Sequence, residues 1–222
     1  MALAERPEFD VIIVGGGISG LSAARELLKR DKDLKVLVLE AKDRVGGRTL
    51  STTLKTLSGC DTWDLGGQWV SSTQNNIMTL IKELGLETYP QFVQGTKMLQ
   101  HGKRGKIGTY QGAIPRLSLL PLLEIHFFTD KLNKISRDFP VENPYLHPEA
   151  HVLDGMTAET FIHQHLYTQA AREVTEIGIE TVFGASSRSF SALHLLRYSA
   201  SAGGINQLLE TTEGCAQEAR IK

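Results

Sequence analysis

Two short, unbroken apolar runs stand near the start of the chain, Val11-Ile12-Ile13-Val14 and Val36-Leu37-Val38-Leu39. Runs this short, flanked by polar residues, predict strands buried on both faces, as in a parallel sheet. Between them Leu21, Ala24, Leu27 and Leu28 recur three to four apart, which is helix period. The order predicts a strand–helix–strand unit over residues 9–40, with the charged stretch 29–35 as a solvated connection. Residues 50–57 suggest another strand. Ile77, Leu80, Ile81 and Leu84 share one helix face, with Thr73-Gln74-Asn75 as the cap and Gly85 as the stop.

From Thr88 the pattern changes. Residues 98–110 alternate polar and apolar around Gly102, Gly105 and Gly108, which predicts a hairpin. Helices are expected over 117–133, 157–166, 170–183 and 191–199, and a loop over 137–148. This organisation divides the chain into a nucleotide-type region, 1–88, and a second α+β region, 89–222.

Composition narrows the class. The chain has 222 residues, a net charge of −1, 41% hydrophobic and 22% charged residues, the profile of an ordinary globular protein. That balance gives no footprint for nucleic acid and no polybasic membrane patch. Residues 1–8 form a polar lead without the apolar core of a signal peptide, and no apolar stretch reaches the ~18 residues of a membrane span. Two cysteines, Cys60 and Cys215, make neither a disulfide framework nor a metal site, which points to a reducing, intracellular compartment. Both read as packing residues.

Gly15, Gly17 and Gly20 follow the first strand in G-x-G-x-x-G spacing. Gly15 permits the turn, Gly17 lets a pyrophosphate approach the backbone, and Gly20 lets the helix pack closely. The N–H groups of Ile18, Ser19 and Gly20 lie at the helix N-terminus, where partial positive charge attracts phosphate. Glu40 stands 20 residues past Gly20, at the end of the second strand. There a carboxylate accepts hydrogen bonds from ribose hydroxyls and disfavours a 2′-phosphate. With strands, helix and acid all in place, the motif predicts a Rossmann-like dinucleotide site.

Arg44-Val45-Gly46-Gly47-Arg48 follows the acid, and Asp64-Leu65-Gly66-Gly67-Gln68-Trp69-Val70 comes later. Arg48 offers a fixed cation to phosphate or flavin. Together with Ser72-Thr73-Gln74-Asn75, these segments resemble the flavin amine oxidase family. The resemblance implies FAD as cofactor, Ala41, Lys42 and Arg48 among its neighbours, and Gly66, Gly67, Gln68 and Trp69 beside the isoalloxazine. A second likeness lies at Gly203-Gly204-Ile205 and residues 208–218, which are similar to the monoamine oxidase segment leaving the substrate domain. It implies that Leu209 and Gln217 line the substrate pocket, with Val182 nearby.

Other candidates are set aside. His147 and His151 flank Pro148 and lack metal-site order, and His163 and His165 would point to different helix sides as surface residues. Ser186, Ser187, Ser189 and Ser191 suit a capping turn. No metal and no catalytic acid–base residue is expected in these positions.

The family resemblance implies an α/β fold: a Rossmann-like FAD-binding domain carrying an inserted α+β substrate domain, both incomplete here, so the chain reads as the N-terminal part of a longer protein. It further implies oxidation of a primary or simple amine, with O2 as the second substrate. The alternatives are an L-amino-acid or polyamine oxidase, or an inert truncated form. Polyamine oxidases tend to carry an acid after the counterpart of Trp69-Val70; Ser71 and Ser72 stand here. Some family members have a C-terminal membrane tail in the mitochondrial outer membrane. The oligomeric state stays open.

Overall fold

The computed structural model describes residues 8–102, 105–112 and 114–222. The polar lead of residues 1–7, and residues 103–104 of the expected hairpin, lie outside them. The chain divides into two compact units, one ending at Gln68 and one beginning at Trp69.

The first unit opens with β1 (Val11–Val14), α1 (Ile18–Arg30) and β2 (Val36–Leu39). β1 and β2 pair in parallel, with Val11 opposite Val36 and Val14 opposite Leu39. This is the unit predicted from the two apolar runs and the helix period between them. The two-face burial that these apolar runs suit is not reached among the described residues of this incomplete sheet. Ile12 is 56% and Val14 86% exposed. A parallel sheet needs cover on both sides, and among the described residues of this unit α1 is the helix that packs on β1 and β2. An antiparallel hairpin follows, β3 (Ser51–Thr56) and β4 (Gly59–Asp64). Cys60 sits on it, exposed rather than packed.

The second unit is mainly helical. It contains β5 (Trp69–Val70), α2 (Asn75–Glu83), β6 (Thr88–Pro90), β7 (Lys97–His101), β8 (Lys106–Tyr110) and α3 (Leu119–Arg137). A 3-10 turn at Pro144–Leu146 precedes α4 (Ala150–Asp154), α5 (Ala158–His165), α6 (Gln169–Phe183), α7 (Ala192–Ser201), α8 (Ile205–Leu209) and β9 (Ala219–Ile221). β7 and β8 form the expected hairpin, and β9 lies antiparallel between β5 and β6.

The core gathers around α7, whose Leu195 and Leu196 are buried with Leu132 of α3, Ile162 of α5, Ile179 of α6 and Ile205 of α8. Capping fixes where these helices begin. The side chains of Thr157, Thr168 and Ser191 accept the N–H groups of Thr160, Ala171 and His194. Gly184, at φ +61, ends α6 in the left-handed conformation. The cap of α2 falls at Gln74, within the expected Thr73-Gln74-Asn75 stretch. Gln74 caps without a side-chain bond of its own, and its Oε1 instead accepts the Ser71 N–H at 3.2 Å. His163 and His165 are both half-buried rather than on the surface, His163 bonded to Glu176 and His165 lying against Phe128 and Phe161.

Candidate cofactor and substrate site

Three glycine-bearing loops in the first unit are stitched to one another. Gly15 ends β1 at φ +102, and its N–H donates to Leu39 O at 2.7 Å, so the turn that starts the loop needs glycine. A Cβ on Gly20 would stand 2.0 Å from Gly15 O, so α1 could not close onto that turn with any other residue. The second loop docks on the first. Gly46 N–H donates to Gly16 O at 2.8 Å, and Gly17 and Gly46 form a parallel bridge. The third loop docks on the stretch after the second. Gly67 N–H donates to Arg48 O at 3.0 Å, and a Cβ on Gly66 would meet that oxygen at 2.0 Å.

Gly17 and Gly67 are different. Neither has a positive φ, and a Cβ would find its nearest neighbour 4.0 Å away at Gly17 and 3.9 Å away at Gly67. Folding does not require glycine at either position.

Glu40 closes the site electrostatically. Its Oε2 accepts the Gly16 N–H at 2.7 Å and its Oε1 accepts the Lys42 N–H at 3.0 Å. The Lys42 and Gly16 amides hold its carboxyl below the usual carboxylate range, so it is an acceptor-only anion at neutral pH. Each oxygen keeps lone-pair capacity for a hydroxyl donor. α1 starts with no acid in its first turn and no side-chain cap, and its first backbone N–H to C=O bond is Leu21 to Gly17. The N–H groups of Ile18, Ser19 and Gly20 are therefore open to phosphate. Ala41 and Lys42 form the turn below Glu40. The exposed Arg48 guanidinium has no hydrogen-bond or ion-pair partner among the described residues. Gln68 ends this unit.

Reading the motif by its spacing missed two residues. Gly16 donates to Glu40, and its own Cβ would lie 3.1 Å from Oε2; its signal was the unbroken Gly15-Gly16-Gly17 run. Arg44 braces the second loop through Val45 O and Gly47 O, at 3.2 and 3.0 Å.

Trp69 belongs to the second unit. It pairs with Arg220 across β5 and β9, the Arg220 guanidinium lies 5.7 Å from its ring, and its Nε1–H donates to Gln91 Oε1 at 3.3 Å. Leu209 ends α8 half-exposed and rests on α6, where a Cβ on Gly178 would lie 3.3 Å from Leu209 Cδ2. Val182 is one turn further along α6. The loop holding Gln217 is tied to α8 by Ala216 N–H donating to Gln207 O at 2.8 Å. Ligand atoms of Glu159, His163 and Glu176 lie within 4.8 Å of one another; within the group His163 bonds Glu176 at 2.6 Å, and Arg188 bonds Glu159 at 2.7 Å.

The family profile described as flavin containing amine oxidoreductase matches residues 18–214. The chain belongs to that family. FAD is its cofactor, and the glycine loops, the open helix N-terminus and the ionised Glu40 suit an adenosine diphosphate portion. Human amine oxidase [flavin-containing] B is 36% identical over 206 residues, covering 92% of this chain and 38% of that protein. The dog flavin-containing amine oxidase A is 36% identical over 207 residues, 93% of this chain and 38% of that protein. Among solved structures, putrescine oxidase bound to putrescine superposes with a TM-score of 0.83 at 31% identity, covering 96% of this chain and 46% of that one. Cyclohexylamine oxidase from Brevibacterium oxydans gives 0.82 at 29% identity with the same coverage. The chain thus spans less than half the length of each of these relatives. No helix among the described residues is long and apolar enough to cross a membrane.

Proposed function

We propose that the protein to which this chain belongs oxidises a primary or simple amine. When bound, the flavin would supply the redox chemistry, a two-electron transfer in which one hydride equivalent leaves the carbon next to the amine and O2 is reduced to hydrogen peroxide, while water hydrolyses the resulting imine to aldehyde and ammonia. The residues described here bind and orient. Gly15, Gly17, Ile18, Ser19 and Gly20 cradle the pyrophosphate, and Glu40, on the turn of Ala41 and Lys42, takes the ribose hydroxyls. Arg48, Gly66, Gly67 and Gln68 steer the ring system, and Trp69 walls it. Residues 1–88 would serve the cofactor and residues 89–222 the amine, with Leu209, Gln217 and Val182 lining its pocket. Acting without the portion that its relatives add, the chain would bind without turning over.

The observation that carries this reading is Gly17. It is a glycine that the fold does not need, set between an ionised ribose acceptor and a helix N-terminus open to phosphate.

The amine class follows from Ser71 and Ser72. The carboxylate nearest them, Glu218, is occupied by donors from this chain, which leaves it poorly placed to hold a long polycation. One solved relative is a putrescine oxidase and another a cyclohexylamine oxidase, and both names fit a small amine. The test is peroxide release from the flavin-loaded, full-length protein offered tyramine, putrescine, spermine and leucine. Turnover of tyramine or putrescine above spermine and leucine supports the proposal, and preference for leucine or spermine overturns it.

A further inference from the structure

One carboxylate oxygen in the second unit gathers four donors. Glu218 Oε2 accepts the Ser72 N–H at 3.1 Å, the Ser72 hydroxyl at 2.8 Å, the Gly214 N–H at 2.9 Å and the Ser71 hydroxyl at 3.5 Å. Ser71 and Ser72 directly follow β5, which carries Trp69. Gly214 belongs to the loop that leads into Gln217. The main chain of Glu218 adds a further link: its C=O accepts the Gln91 N–H at 2.9 Å, and Gln91 Oε1 in turn accepts the Trp69 indole N–H.

We infer that Glu218 is a positioning residue that sets the Trp69 indole and the Gln217 carboxamide in one fixed relation. The inference rests on the proposal that Trp69 walls the flavin and Gln217 meets the amine. A shared acceptor suits this task. Two segments separated by 146 positions cannot be held in register by local sequence, and a charged acceptor with several donors is stiffer than any single neutral bond. The donors keep Glu218 ionised, the Ser72 N–H contributing most and the Gly214 N–H next. The Glu218 carboxylate is engaged by Ser71, Ser72 and Gly214, so its effect passes through these neighbours.

The experiment uses the full-length, flavin-loaded protein with 5-fluorotryptophan incorporated, the Trp69 resonance being the one lost in W69F. Glu218→Ala should shift that 19F resonance, raise the KM for tyramine about tenfold or more and leave FAD occupancy unchanged. Glu218→Asp should restore part of both effects. If Glu218→Ala does not fold, Ser72→Ala, which removes one of the four donors, should move the resonance and KM in the same direction by less. A pin that only stabilises would lower the unfolding temperature while folded molecules kept the parent resonance and KM, and that result overturns the inference. A parent protein that oxidises no amine overturns the amine reading instead, whereas the Trp69 resonance judges the pin by itself.

Discussion

Glu40 accepts the Gly16 backbone N–H at 2.7 Å across 24 positions of chain, so the acid that ends β2 holds the loop that ends β1. The same carboxylate that would meet the ribose therefore shapes the pyrophosphate turn. Replacing it should harm the cofactor twice, through lost ribose contacts and through a loosened loop. Glu40→Ala should weaken FAD binding by about ten- to a hundredfold, read from flavin fluorescence quenching, with Glu40→Gln intermediate.

Gly17 and Gly20 should separate two roles that the motif merges. Gly17→Ala meets no atom nearer than 4.0 Å, so the protein should fold with a loss of about 1 kcal/mol or less at the helix cap, yet bind FAD far more weakly. Gly20→Ala places Cβ 2.0 Å from Gly15 O, and Gly66→Ala places one 2.0 Å from Arg48 O. Both should lower the unfolding temperature of the protein even without cofactor. Paired calorimetry and FAD titration of the three variants distinguish the roles.

Much of this site was legible because its glycines are sequence-local. The G-x-G-x-x-G spacing, the two diglycines and Glu40 stand within the first 67 residues, and helix and strand periods frame them. Other features left no local signal. α4 and α8 have five residues each, less than two turns, so no helical period can register. β9 is three residues long, and its place between β5 and β6 is set only by long-range pairing. Glu218 carries no local signal of its own, and its partners at Ser71 and Ser72 are brought to it by the fold alone. β1 is not covered on both faces because an apolar run records what a strand can bury, not what this unit supplies to cover it.

The helical core should be sensitive to truncation at its centre. Leu195 is fully buried on α7, among residues of α3, α5, α6 and α8. Leu195→Ala should cost about 2–5 kcal/mol, measured by denaturant unfolding. Leu119, exposed at the start of α3, should cost little when changed to Ala.

Acid should loosen the second unit in a defined direction. Backbone N–H groups of Ser72 and Ser187 are the main causes that hold the Glu218 and Glu180 carboxyls below their ordinary value of 4.5. A carboxylate with a depressed folded pKa contributes stability that is fully present above its unfolded pKa and is lost as pH falls through the folded one. Unfolding temperature should be steady from neutral pH down to about 4.5 and fall below it. The Glu218→Gln variant should start less stable at neutral pH and lose less on acidification.

The central claim is that these loops hold FAD rather than a nicotinamide nucleotide. Titration of the full-length apoprotein with FAD and, separately, with NADH tests it most directly. FAD should saturate one site per chain with the absorbance change of a bound flavin, and NADH should show no comparable uptake. Tight NADH binding with FAD ignored would contradict it.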